Sequence, residues 1–221
     1  MSIGAIRALR LLHRQFSHYP AGARVHILIR FLTCPFLRTL DALPPAGRIL
    51  DIGAGHGTLA RLAVEGGSRA AIALEPDLRK VFLPFRHGAI RFVAGFDDSV
   101  RGKFDAVALY DVVYRLSPDE RDRLYRRAYE RLAPGGVLLV KELDPTARFK
   151  SGWARLQERI SDRFLGITLG EGFHLDTPAQ ATARLEAAGF TEVTARRIDR
   201  GYPHAHILYR ARRPEEVDRG K

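Results

Sequence analysis

The stretch RILDIGAGHGTL, residues 48–59, decides the fold. Arg48–Ile52 is an apolar run of strand length, and the residues from Thr58 to Glu65 read as a helix. Between them Gly53, Gly55 and Gly57 take every second position, so the backbone can turn sharply and approach a ligand with no Cβ in the way. A helix that starts directly after such a loop presents free N–H groups, and the positive end of its dipole, to an anionic ligand group. A dinucleotide fingerprint spaces its glycines G-x-G-x-x-G. Here they alternate behind an aspartate, D-x-G-x-G-x-G, from Asp51 to Gly57.

Downstream, short apolar runs alternate with longer helical patterns. The further strand candidates are Ala70–Leu74, Ile90–Ala94, Phe104–Tyr110 and Gly136–Lys141. The clearest helix is Pro118–Leu132, which opens on Ser117 as N-cap, with Pro118 next and Glu120 three residues on, and stops at Pro134-Gly135-Gly136. Strand–helix alternation predicts parallel strands joined by crossovers, hence an open α/β sheet with helices on both faces. Glu192–Arg197 and His206–Arg212 have only a short turn region, Gly201–Pro203, between them, so they are expected to pair antiparallel at the sheet edge.

Polar residues gather where the strands end. Glu75 closes the second strand, where a carboxylate can accept from the vicinal hydroxyls of a ribose. Phe96, Asp97 and Asp98 follow the third, where a ring can stack on a base and an acid can accept from an exocyclic amine. Tyr110 and Asp111 follow the fourth. The carboxyl ends of parallel strands are where open α/β sheets bind their ligands.

This set resembles the class I S-adenosylmethionine-dependent methyltransferases over residues 47–213, and within them the small-molecule branch. The glycine motif, Glu75, the block from Leu109 to Leu116, the run Leu132-Ala133-Pro134-Gly135-Gly136-Val137 and the terminal hairpin carry the likeness together. The resemblance implies a Rossmann-like, mostly parallel seven-stranded sheet with a C-terminal antiparallel hairpin. It implies S-adenosylmethionine as cofactor, with Asp51, Gly53, Gly55 and Gly57 holding the methionine part and Glu75 the ribose. Phe96 with Asp97 would frame the adenine, and Tyr110 and Asp111 would line the path towards the sulfonium. Tyr114 and Arg115 stand where two histidines often stand in relatives, so the resemblance supplies no histidine base there. The catalytic group is left open among Tyr19, His26, Tyr114 and His174; His56 reads as a shield for the cofactor.

The fourth-strand block is Tyr110-Asp111-Val112-Val113, not the [N/D/S]-P-P-[Y/F] of nucleobase amino-methylation in this superfamily. Carbon-5 pyrimidine methylation needs a cysteine after that strand, and the single thiol, Cys34, lies far upstream. These features disfavour nucleic acid. The block instead resembles the D-V-L-H-H-L region of small-molecule methyltransferases, and that resemblance implies a small hydrophobic acceptor (a lipid, a polyketide-like or an aromatic compound) methylated at oxygen. The alternative is an RNA methyltransferase, or an RNA- or membrane-binding protein on this scaffold.

The remaining sequence frames the core. Residues 1–46 are expected to form a helical cap, 47–213 the methyltransferase core with a lid insertion at 148–176, and 214–221 a charged tail. In the cap, Ile6, Leu9, Leu12 and Phe16, and then Val25, Leu28, Ile29, Leu32 and Phe36, recur at near-helical spacing. In the insertion Trp153, Leu156, Ile160 and Phe164 do the same. Such stripes either roof a lipophilic pocket or bury the helices against the sheet. At 221 residues and 46% apolar content the chain is long enough for one sizeable core. One cysteine excludes an internal disulfide and fits a reducing compartment. No apolar run reaches membrane-spanning length, and the charged N-terminus lacks the h-region of a signal peptide, so a cytoplasmic location is expected.

The net charge of +11 is concentrated at the ends: +5 over residues 1–47, +4 over 196–221 and only +2 between. That distribution can attract an anionic membrane or nucleic acid, so peripheral contact with the inner membrane face through the Arg-rich N-terminal helices is one expected partner. Abundant arginine beside scarce lysine also reads as a compositional bias of the coding sequence. His204 and His206 share a strand face, but no third and fourth ligand lies nearby, so no metal is assigned.

Overall fold

The computed structural model describes residues 3–65, 68–77, 79–80, 88–95, 100–146 and 174–216. The apolar alternation around the glycine loop becomes a seven-stranded sheet: β1 (Ala46–Ile52), β2 (Ser68–Glu75), β3 (Ile90–Ala94), β4 (Phe104–Tyr110), β5 (Leu132–Leu143), β6 (Thr191–Arg197) and β7 (His206–Arg212). Their order across the sheet is β3-β2-β1-β4-β5-β7-β6. The first five are parallel, and β7 runs antiparallel to both β5 and β6. The late pair is therefore a hairpin as expected, but β7 inserts beside β5 and leaves β6 as the edge. β5 is also longer than its sequence candidate, because Pro134-Gly135-Gly136 is carried within the strand, with a register shift against β4 between Phe104 and Ala106.

The pleat sorts the strand residues between two cores. On one face Ile49, Ala106, Ala108, Tyr110, Val137 and Leu139 pack under the N-terminal helices α1 (Ala5–Gln15), α2 (Ala21–Thr33) and α3 (Phe36–Leu40) and under α4 (Thr58–Glu65). On the other, Leu50, Phe104, Val107, Leu109, Leu138, Val140 and Tyr209 pack under α5 (Pro118–Arg131) and α6 (Pro178–Ala187). The same alternation sends Asp51, Tyr110 and Lys141 towards the N-terminal helices and Glu142 away from them.

α5 starts as its sequence predicts: Glu120 N–H donates to Ser117 Oγ (3.4 Å), and Ser117 N–H donates to Glu120 Oε2 (2.9 Å). Thr177 and Gln180 build the same reciprocal cap on α6.

The cap helices correct one expectation. In α1 the buried stripe is Ala8, Leu11, Leu12 and Gln15, while Ile6 faces solvent. In α2 only Ile27 and Phe31 are buried, and Val25, Leu28, Ile29 and Leu32 are all exposed. The apolar spacing marks a shared face correctly, but that face of α2 looks outward. The inward side of α2 buries Ile27 and Phe31, and the rest of the cap is tied down by a buried cation. Arg61 of α4 is fully buried with its guanidinium against the rings of Phe16 (4.5 Å) and Phe92 (5.0 Å), and it donates to the Tyr19 hydroxyl (3.1 Å).

Candidate functional site

The site grows from the β1–α4 loop. Gly53 and Ala54 N–H both donate to Leu74 O (2.8 and 3.0 Å), which ties the loop to the end of β2. Gly57 has φ +74°, and a Cβ there would stand 2.4 Å from the Phe92 ring, so only glycine fits. Gly55 has φ +57° and nothing within 4 Å of the place a Cβ would occupy, so the backbone there is open to an approaching group.

Two carboxylates lie beside the loop. Glu75 Oε2 accepts from Gly55 N–H (2.8 Å), and its Oε1 accepts from Asp77 N–H (3.0 Å), with Lys80 Nζ 3.9 Å away. Asp51 is 1% exposed, and neither of its carboxylate oxygens has a hydrogen-bond partner among the described residues. Burial pushes its carboxyl up to about 7; the Glu75 charge adds to this, while the Ala60 backbone N–H, which points at the carboxylate without meeting full hydrogen-bond geometry, and the Arg30 charge oppose it. A buried carboxylate so weakly satisfied is costly, and a cationic ligand group would suit it. Asp51 near the end of β1 and Glu75 at the end of the adjacent β2 thus both lie beside the glycine loop.

The cap closes over this region from α2. His26 lies 5.9 Å from His56 of the glycine loop, ring to ring, and Tyr19 lies 6.0 Å from His56 on another side. Burial lowers the His26 pKa, with the Arg30 and Lys80 charges adding to it; His56 is lowered to about 4 by burial and then by His26, Lys80 and Arg30. Both imidazoles are neutral at pH 7. One turn after His26, Arg30 Nη2 donates to Asp111 Oδ2 (2.8 Å), and Lys141 Nζ donates to Asp111 Oδ1 (2.5 Å). Burial alone would raise the Asp111 carboxyl; Lys141 first and Arg30 second outweigh it and hold it below the ordinary aspartate value. Asp111 takes φ +59°, a left-handed conformation that aspartate tolerates better than most residues. Glu142, next along β5, accepts from Val112 N–H (3.2 Å) and Val113 N–H (3.1 Å), which pins the turn that follows Asp111.

The sequence candidates divide accordingly. Asp51, Gly53, Gly55, Gly57 and Glu75 lie in or beside the glycine loop, and the His26 ring faces His56 of that loop. Tyr110 is buried, its ring stacked 4.4 Å from Phe36, and Asp111 commits its carboxylate to Lys141 and Arg30. Tyr114 is half-buried beside Arg115, which donates to its hydroxyl (3.2 Å); burial and the Asp111 charge push that hydroxyl up to about 12. His174 is exposed, its N–H donating to Tyr114 O (2.8 Å). Tyr19 is buried beneath the cap with its hydroxyl taken by Arg61. Phe96, Asp97 and the stripe from Trp153 to Phe164 lie outside the described residues. His206 spends Nε2 on Thr33 O (3.0 Å), a link from β7 to α2. Sequence reading missed Arg30 and Lys141. A lysine closing the apolar run Val137–Val140 is a signal for the second, since a charge there must be buried; nothing local marks the first.

Comparisons with known proteins bear on the family and the fold. A family model described as a methyltransferase domain matches residues 24–195. No curated protein sequence matches the chain. Among solved structures, an O-methyltransferase family protein from Burkholderia thailandensis superposes with a TM-score of 0.65 at 19% identity, covering 96% of this chain and 68% of that one. The 1,6-didemethyltoxoflavin-N1-methyltransferase of the same organism, with its substrate and S-adenosylhomocysteine bound, gives 0.63 at 18%, covering 96% and 92%. Human N-acetylserotonin methyltransferase in complex with S-adenosylmethionine gives 0.66 at 18%, covering 96% and 60%. At these identities the likeness concerns the fold.

Proposed function

The chain belongs to the methyltransferase-domain family, whose methyl donor is S-adenosylmethionine, and on that premise we propose that it methylates an oxygen of a small hydrophobic acceptor. The donor supplies an electrophilic methyl group, so the protein has to bind it, align a nucleophile and keep water out. Asp51, buried and weakly satisfied, is suited to the amino group of the methionine moiety. The open side of Gly55 leaves room for the ligand to approach the backbone, and Glu75 offers its carboxylate to the ribose hydroxyls in place of the Gly55 amide it now accepts from.

The observation that carries the oxygen assignment is His26. A hydroxyl acceptor needs a base for its proton. The cap helix brings an uncharged imidazole against the glycine loop, where it can take that proton as the new O–C bond forms. Replacing His26 by alanine is expected to lower turnover about 100-fold, with S-adenosylhomocysteine affinity unchanged. The class of acceptor is tested by incubating the enzyme with methyl-labelled donor and, separately, an organic extract and total RNA of the host cell. Label in the organic-soluble product supports this reading, and label in RNA overturns it.

Asp51 also sets a pH dependence. The ligand's ammonium prefers the ionised carboxylate, so binding releases a proton wherever free Asp51 is protonated. Affinity for S-adenosylhomocysteine is therefore expected to strengthen as pH rises towards about 7 and to level off above it. Calorimetric titration between pH 5 and 8, on the scale set by that value, checks this. Asp51→Asn should flatten the profile; an unchanged slope in that variant would remove Asp51 from the role.

A further inference from the structure

Six large apolar side chains are exposed among the described residues, and four of them, Val25, Leu28, Ile29 and Leu32, share one face of α2. They are 46–56% exposed, and Ile6 of α1 is 69% exposed. The inward side of the helix carries Ile27 and Phe31 together with His26 and Arg30, which face His56 and Asp111, so these four aliphatic side chains are surplus to its packing. A soluble surface rarely gathers four aliphatic side chains on one short helix without a use.

Charge says what the face is for. No Asp or Glu occurs before Asp41, while Arg7, Arg10, Arg14, Arg24, Arg30 and Arg38 all do. Arg30 is paired with Asp111, Arg38 donates to Ile198 O and Arg200 O, and Arg7 lies 3.6 Å from Glu65. Arg10, Arg14 and Arg24 are exposed and have no ion-pair partner among the described residues. Arg24 borders the apolar face of α2, and Arg10 shares the solvent side of α1 with Ile6. No described helix is long and apolar enough to cross a membrane. A 13-residue helix with aliphatic side chains outward and arginines at its margin is suited to lying in the interface of a bilayer.

We propose that the outward face of α2, with Arg10, Arg14 and Arg24, docks the protein on an anionic lipid bilayer. A bilayer contact there would set the inward face of the same helix, which carries His26, close to the lipid phase. A lipophilic acceptor would then have a short path to the glycine loop. This last step rests on the function proposed above; the docking does not.

The test is flotation of the full-length protein with vesicles of phosphatidylcholine alone or in equimolar mixture with phosphatidylglycerol. The expected result is co-flotation with the anionic vesicles only, weakening as salt rises. Leu28→Ser with Leu32→Ser should lower vesicle affinity about tenfold or more, and Arg10→Ser, Arg14→Ser and Arg24→Ser together by a similar factor. The leucine variant should keep the thermal midpoint and the S-adenosylhomocysteine affinity of the parent, because neither side chain faces the glycine loop. That second readout separates failure of the docking from failure of the methyltransferase reading. Absence of flotation with anionic vesicles at low salt overturns the proposal, as does flotation that the leucine pair leaves unchanged. So does a concentration-dependent dimer abolished by the same pair, which would make the face a contact between copies of the chain.

Discussion

Replacing Lys141 by methionine is expected to lower the free energy of unfolding by about 3–5 kcal/mol. Lys141 is 1% exposed, and its ammonium is bonded to an Asp111 carboxylate whose side chain is 9% exposed. Methionine keeps most of the volume and removes the charge, so the loss comes from Asp111 and not from a cavity. Arg30 stays, but its side chain is 37% exposed and compensates a buried anion only in part. Adding Asp111→Asn to Lys141→Met should restore more than half of the lost stability, since most of the cost is an uncompensated buried charge. Urea unfolding at neutral pH measures both variants. A single variant within about 1 kcal/mol of the parent would mean that the ion cluster contributes no more than a surface pair does. The pH sign follows from the same contacts. The folded Asp111 carboxyl lies below its ordinary value, so its stabilisation is present above that value and is lost in acid as the folded group protonates.

The second large effect is on the ligand. Gly55→Val should reduce S-adenosylhomocysteine affinity about 100-fold or more, which is roughly 2.7 kcal/mol. A Cβ there meets no protein atom within 4 Å, so on the proposed binding mode the valine side chain would stand in the space where the ligand approaches the loop. Its φ of +57° adds a left-handed strain of about 1–2 kcal/mol, which a folded domain survives with a modest fall in thermal midpoint. Retained affinity in a folded Gly55→Val protein would place the ligand elsewhere. The loop's neighbour behaves differently: a Cβ at Gly57 drives into the Phe92 ring, so substitution there is a packing fault before it is a binding fault.

The sheet and its glycine loop were legible because they depend on short-range rules. Strand length, two-residue alternation, the Ser117–Glu120 cap and the positive φ of Gly53, Gly55 and Gly57 are all set by neighbours a few residues away. The pairing of Glu75 with the loop was legible for a related reason. Both sit at carboxyl ends of adjacent parallel strands, and register then brings them together. The position of β7 was not legible, since two strands joined by a turn can attach to the sheet through either one.

By itself, then, the sequence determined the doubly covered sheet, the order in which its strands arise and the glycine loop after the first of them. Tertiary structure alone decided what packs over that loop. Arg30 and Asp111 are 81 residues apart, and a pair at that separation leaves no periodic trace in the chain. The spacing of Val25, Leu28, Ile29 and Leu32 announces one face but carries no sign for inward or outward. In the structure α2 buries Ile27 and Phe31 and turns Arg30 to Asp111, and burying that carboxylate beside Lys141 and Arg30 is a long-range requirement that the spacing of α2 cannot express.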